Sequence, residues 1–167
     1  MSQFTGKYRG TVVNNQDPQN RGRLTLQVSD VAQLKTSTWA LPAAHFAGNQ
    51  SGFFSVPPVG ANVWVEFEQG DSDFPIWSGC FWGSSGEVPT QATSAPPGVQ
   101  SIVMQSVGGN ILMISDAPGP SGGILLKSSS GASISINDTG ITITNGQATI
   151  LIAGPTVTVN DGALVIT

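Results

Sequence analysis

The 167-residue sequence is short of the groups that most catalytic and metal chemistry uses, with one cysteine, Cys80, and one histidine, His45. A single thiol excludes an intramolecular disulfide and any multi-cysteine metal site. A lone imidazole with no patterned nucleophile and orienting acid builds no catalytic relay, so no catalytic residue, metal or cofactor is expected. Only 10% of the residues are charged, and six cations against ten acids leave a formal charge of −4. That is the wrong sign for a chain held mainly by phosphates, so nucleic acid is not an expected partner. No apolar run approaches the ~20 residues of a membrane helix, and the first residues lack a secretory signal's basic and apolar regions, which points to synthesis in the cytosol.

Aromatic residues are missing from half of the chain. All of them lie between Phe4 and Trp82, and five of the six cations lie in the same half. Residues 83–98 read GSSGEVPTQATSAPPG, a Gly, Ser, Thr and Pro composition without apolar periodicity that marks a linker. The expected organisation is a first unit over 1–83, a linker over 84–98 and a second unit over 99–167.

In the first unit, residues 8–14 and 23–28 are strand-like around a turn that contains Asp17-Pro18 and Gly22, which predicts a hairpin. Val63, Val65 and Phe67 alternate with Trp64, Glu66 and Glu68, the period-two signature of a strand. Gly70-Asp71 supplies the next turn, and the strand from Pro75 carries Gly79 as a bulge or close approach. Helical spacing is weak except near 39–47. Some five short strands in so few residues predict a small closed barrel.

The second unit repeats itself. Ile134 and Ile136, Ile141 and Ile143, Ile150 and Ile152, Val157 and Val159, then Leu164 and Ile166 form aliphatic pairs separated by Asp-Thr-Gly, Asn-Gly, Gly-Pro and Asn-Asp-Gly turns. Each pair predicts one strand, and 102–104, 111–114 and 124–126 extend the array to about eight. The intervening positions are mostly small or polar, so one aliphatic stripe lies open unless other copies cover it. Three chains around a common axis turn the stripes inward and remove lateral sheet edges. A homotrimeric β-helical prism is therefore expected, with strands paired between neighbouring chains, Ser and Thr outside, and a core of Ile134, Ile136, Ile141, Ile143, Ile150, Ile152, Val157 and Val159.

The order Gly10-Thr11-Val12-Val13, Asp17-Pro18 to Gly22-Arg23, Trp39-Ala40-Leu41-Pro42, Gly52-Phe53, Pro58-Val59-Gly60, Val63 to Phe67, Gly70-Asp71 and Pro75-Ile76 to Gly79 resembles the central spike of contractile injection systems. That group includes phage baseplate assembly protein V and the valine-glycine repeat spike of type VI secretion. The resemblance implies an all-β chain, an N-terminal oligonucleotide/oligosaccharide-binding (OB) barrel followed by a prism of three intertwined chains. Its barrel motif falls on Asp17, Pro18, Gly22, Arg23, Pro58, Gly60, Gly70, Asp71, Pro75 and Gly79. It implies a non-enzymatic homotrimer assembled in the bacterial cytoplasm into a phage tail or phage-tail-like particle, at the baseplate and exposed on contraction. It also implies a separate hub protein, a proline-alanine-alanine-arginine (PAAR) repeat tip protein docked on Leu164, Val165, Ile166 and Thr167, and transient contact with a target membrane.

Other readings compete for single residues. Cys80 beside Gly79 reads as a small core residue. Lys7, Arg9, Arg21 and Arg23 with Tyr8 form a possible basic face for single-stranded nucleic acid, Trp64, Trp77 and Trp82 a sugar groove, and Glu66, Glu68, Asp71 and Asp73 a calcium loop. The second function carried forward is a trimeric fibre or adhesin whose barrel binds glycans.

Overall fold

The computed structural model describes residues 3–31 and 35–166, and the chain divides into two compact units, 1–85 and 86–167. The fold is all-β. Among the described residues the α-helical content is a single turn, α1 (Thr90–Thr93), inside the linker segment.

The first unit contains β1 (Tyr8–Asn14), β2 (Thr25–Gln27), β3 (Leu41–Pro42), β4 (Ala47–Gly48), β5 (Ser51–Gly52), β6 (Asn62–Phe67) and β7 (Pro75–Cys80). Five of them form a sheet in the order β2-β1-β6-β7-β3. Leu24 and Ala40 bridge the two ends with hydrogen bonds of 3.1 and 2.7 Å, so the sheet curls into an OB barrel. The alternation read from the sequence fills it: Val63, Val65 and Phe67 point inward from β6 while Asn62, Trp64 and Glu66 stay half-buried. They pack with Val12, Leu24, Leu26, Val28 and Trp77 in one apolar core. Trp77 closes that core because its indole Nε1 donates to the Gly22 carbonyl at 3.1 Å, which satisfies the one polar atom the ring carries inside.

Residues 39–47 are not helical. Pro42 sits in the short strand β3, and beyond it β4 and β5 pair as a separate two-stranded hairpin, with Gln50 at a φ of 53° in its turn. Pro42 has no N–H to give a helix, and Gly48 and Asn49 just beyond residue 47 favour a turn. On β7, Ser78 and Gly79 together face Trp64, because Val63 pairs with Cys80 and Val65 with Trp77. Gly79, at a φ of 122°, is the extra residue of a bulge.

The second unit holds β8 (Ser101–Gln105), β9 (Ile111–Ser115), β10 (Gly123–Lys127), β11 (Ser133–Asn137), β12 (Gly140–Thr144), β13 (Thr149–Ala153), β14 (Thr156–Val159) and β15 (Leu164–Ile166). They make one eight-stranded antiparallel sheet in strict chain order. Two-residue loops at 138–139 and 154–155 leave consecutive strands no choice but to pair. Strand pairing between neighbouring chains, expected from the sequence, is therefore replaced by pairing within the chain, and each strand from β9 to β14 has both edges occupied by its own neighbours. What remains for other copies is the side-chain face. Successive turns along the margins are tied to each other: Asp138 accepts the Gly119 N–H at 2.9 Å, Asn110 that of Ser129 at 3.1 Å and Asn160 that of Thr149 at 3.0 Å.

Candidate functional site

The register of the second sheet assembles its aliphatic pairs into two unbroken ladders. One runs through Ile102, Ile114, Ile124, Ile136, Ile141, Ile152, Val157 and Ile166, the other through Met104, Leu112, Leu126, Ile134, Ile143, Ile150, Val159 and Leu164. Directly opposed residues of a sheet point to the same side, so all of these occupy one face. All but Ile141, Val157 and Val159 are exposed in the single chain, and those three are half-buried. A continuous apolar face of this extent marks an association surface. Leu164 and Ile166 end the two ladders and are exposed, Val165 turns to the other side, and Thr167 lies outside the described residues.

The opposite face departs from the expectation of Ser and Thr alone. Its central row reads Val103, Met113, Leu125, Ser135, Thr142, Leu151, Thr158 and Val165. Aliphatic residues therefore fill it over β8 to β10 and recur at Leu151 and Val165. The continuous runs Ile111-Leu112-Met113-Ile114 and Ile124-Leu125-Leu126 put apolar groups on both sides of a strand, which a two-residue period cannot show.

In the barrel, the Asp17 side chain organises the first turn. It accepts the N–H groups of Gln19 at 2.9 Å, Arg21 at 2.8 Å and Arg23 at 3.3 Å, and its Oδ1 takes the Arg23 guanidinium at 2.6 and 3.0 Å. Arg23 also lies 5.4 Å from the Trp39 ring centre. Pro18 sits in that turn. Gly60 donates to the Val12 carbonyl at 2.9 Å after the turn in which Ala61 donates to Pro58 at 3.1 Å. The Gly70 carbonyl takes the Phe4 N–H at 3.0 Å, and Asp71 accepts the Asp73 N–H at 3.0 Å in the turn before Pro75 opens β7. The ten motif residues thus lie at turns and at the strand β7, holding the barrel's corners rather than converging on one pocket.

Comparison with known proteins agrees with this geometry in both units. Residues 8–82 match the type VI secretion system/phage-baseplate injector OB domain, and residues 101–165 match the phage baseplate V C-terminal trimerisation domain. The chain belongs to the phage baseplate V family. The type VI secretion system spike protein VgrG4b of Pseudomonas aeruginosa is 42% identical over 55 residues, which cover 33% of this chain and 7% of that protein. Spike protein VgrG5 of the same organism is 39% identical over 58 residues, 35% of this chain and 7% of that one. The matched stretch is thus a small part of these longer curated relatives. The trimerisation domain makes the family's assembly a homotrimer, and it covers the unit that carries the open aliphatic face.

Within this baseplate V barrel the competing single-residue readings come apart. Arg23 is engaged with Asp17, Lys7 with Glu66 at 3.0 Å, and Arg9 stacks 5.8 and 5.6 Å from the rings of Trp64 and Phe81. Tyr8 packs edge-on against Phe4 and Phe67, so among the described residues Lys7, Arg9, Arg23 and Tyr8 do not assemble a basic face with a stacking ring. Trp77 is buried with its indole N–H given to Gly22, Trp64 lies under Arg9, and Trp82 stands exposed. Among the described residues no three His, Cys, Asp or Glu side chains are grouped to hold a metal. Cys80 is exposed, not a core residue, because it ends β7 beyond the bulge. Its partial enclosure by neighbours raises the thiol pKa by desolvation, the opposite of what activates a nucleophile. Sequence reasoning missed the aromatic hairpin of β4 and β5, where Phe46, Phe53 and Phe54 are exposed. Its only sequence signal is rings set among Gly, Asn and Ser without alternation.

The Arg23 guanidinium, aided by three backbone N–H groups, holds the Asp17 carboxyl well below the usual carboxylate range. A carboxyl depressed by folding contributes stability above its unfolded pKa and loses it as pH falls toward its folded value. The barrel's melting temperature should therefore fall as the pH drops below about 4. In Asp17→Asn it should start lower at neutral pH and depend less on pH in that window. Tryptophan fluorescence melts report the barrel alone, since every Trp lies there; parallel curves for the two proteins would remove Asp17 from this role.

Proposed function

We propose that the chain is the central spike of a contractile injection machine, a non-enzymatic homotrimer whose second unit is the needle and whose barrels dock on a hub. The observation that carries this reading is the pair of unbroken aliphatic ladders on one face of a sheet that belongs to a trimerisation domain. Geometry supports three walls. Five-residue strands at about 3.4 Å per residue make a sheet about 17 Å wide. A triangle of that side has an inscribed radius of about 5 Å, half the ~10 Å spacing of packed sheets. Two facing sheets leave both flanks of the core open, and four leave a void on the axis.

In this reading Ile134, Ile136, Ile141, Ile143, Ile150, Ile152, Val157 and Val159 form the core, continued by the ladder residues of β8, β9 and β10. Eight strands at about 4.8 Å give a rod on the order of 40 Å long. Axial load is shared among many hydrogen bonds and a continuous core, so failure requires cooperative disruption rather than loss of one contact. Leu164, Val165 and Ile166 of β15, with Thr167, dock a PAAR-type tip protein, and the target membrane is met transiently on contraction. Assembly takes place in the bacterial cytoplasm, at the baseplate of a phage tail or phage-tail-like particle.

Pulldown with the full-length trimer tests the reading against a glycan-binding fibre. A spike retains both a hub protein and a tip protein, and loses only the tip when Val165, on the opposite face of the last strand, is changed to Asp. Retention of glycans on an array, with neither protein partner, would favour the fibre.

A further inference from the structure

The hairpin of β4 and β5 shares no ladder with the barrel sheet, and a two-stranded hairpin is marginal in water on its own. Its flanking rings Phe46, Phe53 and Phe54 are exposed at 61, 44 and 73%, an apolar cluster that a lone barrel leaves uncovered. A groove of about 610 Å³ is lined by Phe46 and Phe53, by Trp77 and Cys80 of β7, and by Arg21. That volume suits the insertion of side chains from a partner. Arg21 differs from the other cations placed in the barrel sheet and its first turn. Lys7, Arg9 and Arg23 are each engaged by a carboxylate or a pair of rings, whereas the Arg21 guanidinium has no hydrogen-bond or ion-pair partner among the described residues. No carboxylate lines the groove. Its lining is mostly apolar, with polar groups at His45, Gln50, Ser51, Ser55 and Ser78 and one uncommitted positive charge at Arg21.

We propose that this groove docks an extended segment of the hub protein, which inserts an apolar side chain beside Phe46, Phe53 and Trp77 and sets an Asp or Glu against Arg21. The inference rests on the hub reading above and adds the chemistry of the contact. Charge complementarity selects the acid, since a carboxylate is what a guanidinium pairs with in two parallel hydrogen bonds. The open outer edges of the hairpin offer main-chain pairing to an extended chain. A single cation does not track a nucleic-acid backbone.

The test uses the full-length trimer with a benzophenone amino acid at position 53, photolysed in assembled particles, with Arg21→Glu as a parallel variant. The expected crosslink maps to one hub segment with an Asp or Glu within three residues of the attached apolar position. Arg21→Glu should weaken retention on the hub about tenfold or more, and a Lys placed at the mapped acid should restore it. Because Arg21 has no side-chain partner in the barrel, the variant should keep the wild-type mass and melting curve. A crosslink to a neighbouring copy's barrel, or full hub retention by Arg21→Glu, would overturn the groove assignment and leave the hub reading standing. Failure of the wild-type trimer to bind any hub would sink the hub reading itself.

Discussion

Ile143→Asp prevents the trimer from forming. Ile143 lies mid-sheet, between Ile134 and Ile150 on the open aliphatic face, and in a three-walled prism the variant brings three carboxylates to one axis. Each buried charge without a partner costs several kcal/mol, and like charges at close range repel further. The core holds no cation to offset them, since Lys127 is the needle's one basic residue and is exposed at the end of β10. Two controls separate this from general damage. Ile143→Val removes one methylene, at about 0.5–1.5 kcal/mol, and should keep the trimer. Ser135→Asp places the same acid on the opposite face and should keep it too. Sedimentation of the three variants checks the prediction; a heat-resistant Ile143→Asp trimer would refute the core.

Gly140→Ala should lower the temperature at which the needle comes apart by more than Gly146→Ala, the corresponding methyl addition at the next turn. Gly140 follows the two-residue loop at 138–139 with a φ of 133°, which L side chains rarely adopt, at a strain of about 1–3 kcal/mol. A Cβ there also meets the backbone carbonyl of Ile152 on β13, and a carbonyl held in a ladder cannot swing aside as a side chain does. The penalty falls in all three chains. Gly146, at a φ of 92° but with nothing within 4 Å of an added Cβ, carries the strain without the collision, so Gly146→Ala should lose less. Heating in detergent followed by electrophoresis ranks the two, and equal losses would show that the Ile152 contact does not matter.

Much of the needle was legible because two simple periods coincide there. Each strand contributes two aliphatic residues to one face, and Asp-Thr-Gly or Gly-Pro turns fix where the chain reverses, so the pairs from Ile134 to Ile166 announce both strands and face. Legibility fades toward Ile102, where Val103, Met113 and Leu125 make the strands apolar on both sides. Pairing partners were not readable at all from composition. The expectation of inter-chain pairing gave way because turns of two residues enforce hairpins. In the barrel, the alternation of β6 was plain, but the hairpin of β4 and β5 was not, since two-residue strands built from Ala, Gly and Ser carry no period. Cys80 was misplaced for a related reason: the bulge at Gly79 breaks the alternation that would have shown which way it points.

The central claim is that three copies close the aliphatic ladders into one core. The most direct measurement is the mass of the purified chain by light scattering, paired with electrophoresis in detergent with and without boiling. The account predicts a species of three times the 17.2 kDa chain mass that survives detergent unboiled and collapses to the single chain on boiling. A stable 17.2 kDa monomer in solution would contradict it, because one sheet cannot hide its own aliphatic face.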